Sequence, residues 1–306
     1  MKIFVTGSAG FIGSAVVTAL IERGHSIAVL LRNSSDPWRL SNIIDQIEVI
    51  EGDFNHISSF AAGLGAWQPE CVLHLGWQGA ANTERNDIDQ TANIQSSVKL
   101  AALAAEIGVS LFIGLGSQAE YGPQNEALDE TAPLQPTTLY GAAKAATFHM
   151  CGAICGLHGV RFAWVRVFST YGPQDNPIWL IPYLITAFKA GTAPALTPCE
   201  QIWDYLFVDD AAQGIIAVLE TADARGPFNL GSGAAVQLRY IVTSVRDVVA
   251  PNVSLGFGEI DYRPDQVMHL EANISKLTNI TGWVPTTGFV DGIKATAEWF
   301  LEYDNS

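Results

Sequence analysis

The sequence predicts an α/β fold: a doubly wound parallel sheet carrying a smaller α/β lobe. Three observations predict it. A β-branched strand at residues 2–6 runs directly into Gly7-Ser8-Ala9-Gly10-Phe11-Ile12-Gly13, and a helical pattern follows to about Glu22. Apolar strands then alternate with helical stretches as far as residue 168, the pattern of a parallel sheet with crossover helices. Beyond 168 the alternation weakens into turn-rich segments, as expected of a lobe built from separated pieces. With 306 residues, 48% hydrophobic and 15% charged, the chain is long enough to bury a large core.

The first strand, the glycine turn and the first helix have the order of a Rossmann-type dinucleotide site. Gly7 permits the tight turn, Gly10 lets the backbone approach a pyrophosphate, and Gly13 lets helix pack on strand. The helix start offers free N–H groups and a positive dipole end to phosphate. The spacing is G-x-x-G-x-x-G. A second strand, Ser26–Leu31, ends at Arg32-Asn33-Ser34-Ser35, where a ribose with a free 2′-hydroxyl would meet an acidic residue. A guanidinium there suits a 2′-phosphate, so NADP(H) is expected ahead of NAD(H).

The third strand, from Ile47, ends at Asp53, which is placed to touch the adenine edge, and the fourth is Cys71–Gly76. Its His74 reads as structural rather than catalytic. A helix is expected from about Asp87 to Ile107, with Asn93 in its first half, and a fifth strand over 109–116 leads into Ser117-Gln118-Ala119-Glu120-Tyr121-Gly122. Next comes a helical run holding Tyr140 and Lys144. Four residues apart, they share one helix face. A phenol near its ordinary pKa is a poor acid–base group at neutral pH, and a neighbouring ammonium favours its phenolate. A sixth strand, Arg161–Val167, closes this half.

In the second half, a helix is expected over about 178–190 and a strand over Gln201–Val208. Asp209 is expected to cap a helix reaching Glu220, a strand and turn to span Phe228–Gly233, and helices to occupy 236–249 and 286–302. The net charge of −15 disfavours nucleic acid and anionic membranes as partners. No window approaches a membrane span, and a strand starting at residue 2 leaves no room for a signal peptide. Four scattered cysteines, Cys71, Cys151, Cys155 and Cys199, point to a reducing cytoplasm. Cys151 and Cys155 lie one helical turn apart without a matching Cys/His pair, so they read as packing residues and no metal is expected.

Taken together, Gly7-x-x-Gly10-x-x-Gly13, Ser117 and Tyr140-x-x-x-Lys144 resemble the extended short-chain dehydrogenase/reductase family that acts on nucleotide sugars. The resemblance runs the whole length. It takes in Asp53, Glu130-x-x-Pro133-x-x-Pro136, Tyr171-Gly172-Pro173, Asp209, Asn229-x-Gly231, Arg263-Pro264 and Gly282-Trp283. It implies that Ser117 hydrogen-bonds the sugar oxygen, Tyr140 transfers the proton, and Lys144 tunes the tyrosine and holds the nicotinamide ribose. The implied cofactor contacts are Gly7, Gly10, Phe11, Ile12, Gly13, Arg32, Asp53, Phe54, Leu75 and Val167, with Tyr140 and Lys144 shared. Residues 1–168, with a returning segment at about 204–222, form the implied dinucleotide-binding domain; 169–203 and 223–306 form the substrate-binding lobe. A homodimer through the helices around Asn93 and Tyr140 is implied as well.

The departures narrow the chemistry. Family 4,6-dehydratases carry Asp-Glu in the two positions after the hydroxyl residue, where this chain has Gln118-Ala119; members that epimerise carbons 3 and 5 carry a cysteine where this chain has Ala119. Glu120 reads as an orienting or solvated residue. Trp203-Asp204-Tyr205 stands where many relatives have Arg-Asp-Tyr, and Phe168-Ser169 where many have Phe-Asn. That makes Arg263 the main cationic candidate and leaves Gln118, Ser169 and Trp203 as further substrate contacts. The Phe168–Pro173 and Gln201–Tyr205 stretches are similar to the branch resembling abequose-type synthases. The implied activity is NADPH-dependent reduction of the C4 ketone of a nucleotide-diphosphate-linked 4-keto-6-deoxy sugar. An NAD-dependent 4-epimerase, a reductase of non-nucleotide carbonyl compounds and a non-catalytic NADP-binding regulator remain as alternatives.

Overall fold

A computed structural model describes residues 1–263 and 266–303. Seven parallel strands form the main sheet: β1 Lys2–Thr6, β2 Ser26–Leu31, β3 Glu48–Glu51, β4 Cys71–His74, β5 Leu111–Ser117, β6 Arg161–Val167 and β7 Gly226–Leu230. Their spatial order is β7-β6-β5-β4-β1-β2-β3. The chain order therefore reverses between β1 and β4, which opens a crevice beyond their carboxyl ends. Register aligns those ends, with Thr6 beside His74 and Ser117 beside Val167. The strands read as unbroken apolar runs because both faces are covered.

On one face lie α1 (Phe11–Glu22) and, later in the chain, α6 (Val208–Glu220). Val16, Val17 and Leu20 of α1 are fully buried there with Ile215, Ile216 and Leu219 of α6. The other face carries α2 (Ala61–Trp67), α3 (Gln90–Glu106) and α4 (Leu139–Leu157). There Leu100, Ala101 and Ala104 of α3 pack with Cys151 and Cys155 of α4. Burial raises both thiols, and no metal-binding cluster occurs among the described residues. Nor is any described helix long and apolar enough to cross a membrane.

The lobe holds α5 (Leu180–Lys189), α7 (Leu238–Val249) and α9 (Phe289–Tyr303), whereas α8 (Ser275–Thr281) lies against β7 and α6 with Leu277 buried in the main core. Ile181, Leu184 and Phe188 meet Ile241, Val245 and Ile293 in the lobe's own core. Four expectations change here. Gln201–Val208 is two short strands, Ile202–Trp203 and Tyr205–Phe207, broken at Asp204. The buried Asp204 carboxylate turns inward to accept N–H bonds from Ser232 (2.6 Å), Gly233 (3.2 Å) and Ala272 (3.1 Å). Asp209 does not cap α6, which starts at Val208 without a side-chain cap. Asp210 instead faces inward, binding Thr286 N, Thr286 Oγ1 and Thr287 N. The helix expected from Asp87 begins at Gln90, after a turn in which Asp87 Oδ1 accepts the Asp89 N–H. Finally, the returning segment extends past 222, because Gly226–Leu230 pairs with β6 in the main sheet.

Candidate active site

Gly7 leaves β1 with φ +74°, and a Cβ there would sit 2.5 Å from the Gly76 nitrogen on the loop after β4. The turn closes through the Gly10 N–H on Gly7 O at 3.1 Å, and α1 starts without a side-chain cap. Its first N–H groups are thus left to solvent or ligand. Beside them the Ser8 hydroxyl is fully buried and has no hydrogen-bond partner among the described residues. A cavity of about 170 Å³ spans this turn and the ends of β2, β3 and β4. It brings together Gly7, Gly10, Arg32, Asp53 and Phe54 of the expected residues. Asn55 N–H donates to the Asp53 carboxylate at 2.9 Å, holding it below the usual carboxylate range.

Phe11, Ile12, Gly13, Leu75, Tyr140, Lys144 and Val167 do not line that cavity. Phe11 points into a separate cleft beside Val208 and Gln174. Ile12 packs on the main core, and Leu75 and Val167 are buried in it. Gly13 is under the turn, where a Cβ would fall 2.1 Å from Gly7 O. Only the backbones of Phe11 and Ile12 remain at the turn, because their helical positions aim their side chains at the sheet and at α6.

His74 is structural, as read from the sequence. Its Nδ1 meets Thr6 Oγ1 at 2.7 Å and its Nε2 meets Ser97 Oγ at 2.8 Å, and burial pushes its pKa down to about 3. A neutral imidazole satisfied at both nitrogens ties β1 to β4 and α3.

At the carboxyl edge, Ser117 ends β5 while Tyr140 and Lys144 lie in the first turns of α4. Thr138 caps α4 through Gly141 N–H at 3.1 Å. Burial raises the Tyr140 phenol, opposed by the neighbouring Ser117 side chain and the Arg85 cation. Lys144 Nζ donates to Leu115 O at 2.6 Å and lies 5.9 Å from the Tyr140 ring. Desolvation lowers its pKa to about 7. The sequence expectation is a phenol brought down by a neighbouring ammonium; burial acts against it on both groups, raising the phenol and lowering the lysine.

Glu120 is an orienting residue and is not solvated. Fully buried, it accepts from Ser117 N (2.9 Å), Trp164 Nε1 (2.9 Å) and Arg166 Nε (2.8 Å). Ser117 Oγ in turn accepts the Ala119 N–H at 3.2 Å. Arg166 continues the chain to Tyr121 Oη at 2.8 Å, and Tyr121 donates to Asn229 Oδ1 at 2.7 Å. Arg166, Trp164, Trp77 and Arg85 were not legible as site residues. Of these, only Trp77 carries a sequence signal, a bulky aromatic three residues after His74 where the chain leaves the cofactor edge. Asn93 anchors that exit by accepting Gln78 N–H and donating to Gln78 O, both at 3.0 Å.

In the lobe, Trp203 Nε1 donates to Ser169 Oγ at 2.8 Å, joining two expected substrate contacts. Gln118 is half-buried beside Ser117, and Arg263 is exposed on a loop. Pro264, paired with Arg263 in the motif, lies outside the described residues.

The model of the NAD dependent epimerase/dehydratase family matches residues 3–231. The chain belongs to that family. It is an NAD(P)-dependent oxidoreductase of the extended short-chain dehydrogenase/reductase type, within the nucleotide-sugar epimerase/dehydratase group. It is 28% identical to the UDP-glucose 4-epimerase of Mycolicibacterium smegmatis, over 98% of both chains. It is 25% identical to the dTDP-glucose 4,6-dehydratase of Salmonella typhimurium, over 98% of this chain and 93% of that one. In structure it resembles the UDP-glucose 4-epimerase of Thermotoga maritima solved with UDP-glucose, at TM-score 0.89 and 24% identity over 99% of each chain.

Proposed function

We propose that this family member catalyses NADPH-dependent reduction of the C4 ketone of a nucleotide-diphosphate-linked 4-keto-6-deoxy sugar. The observation that carries the reading is the Ser117–Tyr140–Lys144 set at the sheet edge, followed by Gln118 and Ala119. Neither of these can serve as the extra acid or base that eliminating water requires. The uncapped α1 start, the buried unpartnered Ser8 hydroxyl and the space left by Gly7 suit a dinucleotide diphosphate. Arg32 on the cavity wall, with no acidic residue at the end of β2, suits a 2′-phosphate. A nicotinamide dinucleotide bound there supplies the hydride.

The protein's own residues handle the proton. Ser117 holds the sugar oxygen, with its backbone fixed by Glu120. Tyr140, kept protonated by burial, gives its proton to that oxygen as the C=O bond becomes C–OH. Lys144 balances the phenolate that remains, which solvent then reprotonates. Gln118, Ser169, Trp203 and Arg263 are the proposed substrate contacts, cytoplasm the proposed location, and a homodimer the proposed assembly.

A second reading, an NAD-dependent 4-epimerase, is favoured by the similarity to UDP-glucose 4-epimerases. A panel of CDP-, dTDP-, UDP- and GDP-linked 4-keto-6-deoxy sugars, with NADPH consumption followed by absorbance, tests the proposal. Consumption that disappears in Tyr140→Phe supports the reductase. Interconversion of C4 epimers without NADPH consumption selects the epimerase instead.

A further inference from the structure

Lys144 is 3% exposed and has no carboxylate within ion-pair distance among the described residues. The nearest acid, Glu120, is already bonded to Arg166, Trp164 and Ser117. One N–H of the ammonium goes to Leu115 O. What faces the rest of it is aromatic. The Trp77 ring lies 3.8 Å from Nζ, with Tyr140 at 5.9 Å and Trp164 at 6.0 Å. An ammonium over an indole face is attracted by the ring quadrupole, most strongly when desolvated and close. Only Trp77 is close.

That indole is held from two sides. Its Nε1 donates to Gln90 Oε1 at 2.8 Å, and Gln90 Nε2 donates back to Gly79 O at 2.6 Å. The ring also stands edge-on to Tyr140, with centroids 6.0 Å apart at 87°. Farther along the same loop, Arg85 O accepts the Tyr140 N–H at 2.8 Å. The loop from Gly76 to Asp89 thus touches both members of the pair.

We propose that Trp77, which lines the cofactor cavity, is a positioning residue whose indole face keeps the Lys144 ammonium charged and fixed in place. The proposal rests on the reading of Tyr140 and Lys144 as the reacting pair. Glu120 raises the lysine pKa, while desolvation lowers it. The other groups around the pair are Arg166 on β6, neutral His74 on β4, Tyr140 on α4 itself and Arg85 on the loop. Replacing Trp77 leaves these charged groups in place and removes the π face, together with the Nε1 bond to Gln90 and the edge contact with Tyr140.

The test uses the cofactor-free full-length protein with ¹³C-labelled lysine, whose six lysines include Lys144; the Lys144→Met spectrum assigns its signal. The Lys144 ε-methylene resonance should lie upfield of the other five because of the indole ring current. In Trp77→Leu that shift should vanish and the Lys144 titration midpoint should fall by roughly one pH unit, a tenfold change in the ratio of charged to neutral lysine. Trp77→Phe should fall less, because a smaller face remains. In turnover, the alkaline limb of kcat/KM should move to lower pH by the same amount, since the charged form is lost sooner as pH rises. A parent Lys144 signal without the upfield shift, or a Trp77→Phe midpoint falling as far as that of Trp77→Leu, overturns the proposal. Full turnover by Lys144→Met overturns the catalytic reading beneath it, and the NMR midpoints keep the two failures apart.

Discussion

Replacing Glu120 by alanine should destabilise the fold far more than a typical substitution does. The carboxylate is 0% exposed and receives three donors, at 2.9, 2.9 and 2.8 Å. Its removal strands the Arg166 guanidinium, 1% exposed, with Tyr121 Oη as its remaining hydrogen-bond partner among the described residues. Breaking a buried ion pair from one side costs about 3–5 kcal/mol, because the surviving charge stays desolvated. Removing the cation too, in Glu120→Ala/Arg166→Met, should recover about 2 kcal/mol of that loss. Urea unfolding followed by far-UV circular dichroism gives both numbers, read as midpoint shifts at a constant slope. Two results refute the reasoning: Glu120→Ala within about 1 kcal/mol of the parent, or a double variant no more stable than the single one.

Further tests reach other parts of the site. His74 titrates near 6.5 when unfolded and at about 3 when folded, so between those values the unfolded chain binds more protons. Stability is therefore full above pH 6.5 and falls as pH drops through the window, by about 2 kcal/mol at pH 5; His74→Gln should flatten that acid slope in thermal melts. Gly13→Ala places a methyl 2.1 Å from Gly7 O, so dinucleotide binding by fluorescence titration should be lost. Arg32→Ala should weaken NADPH binding by about 10–100-fold and leave NADH binding nearly unchanged; equal losses for both would remove the 2′-phosphate reading.

The succession of strands and helices and the glycine turn were legible because their signals are local. A β-branched run, glycines at fixed spacing and an apolar helix face lie within a couple of dozen residues of one another. Tyr140 and Lys144 were singled out by their four-residue spacing on one helix face, and Ser117 by the family resemblance. The choice between an orienting and a solvated Glu120 was not legible, because its partner Arg166 is 46 residues away and only the pairing of β5 with β6 brings them together. Trp77 shows the same limit, since its neighbour Lys144 arrives from α4. The broken strand at Asp204 was hidden by composition: five apolar residues and a tyrosine surround one aspartate, and nothing nearby in the sequence announces the three N–H groups it binds.

The placement of α6 and β7 affects how this protein can be taken apart. The chain leaves the sheet after β6, wanders through the lobe, returns to lay α6 against α1 and β7 against β6, and departs again. A cut after residue 168 would therefore strip one flank of the sheet and leave β6 as a raw edge. Neither half should survive as a stand-alone product, and grafting a foreign lobe would demand two splice points rather than one.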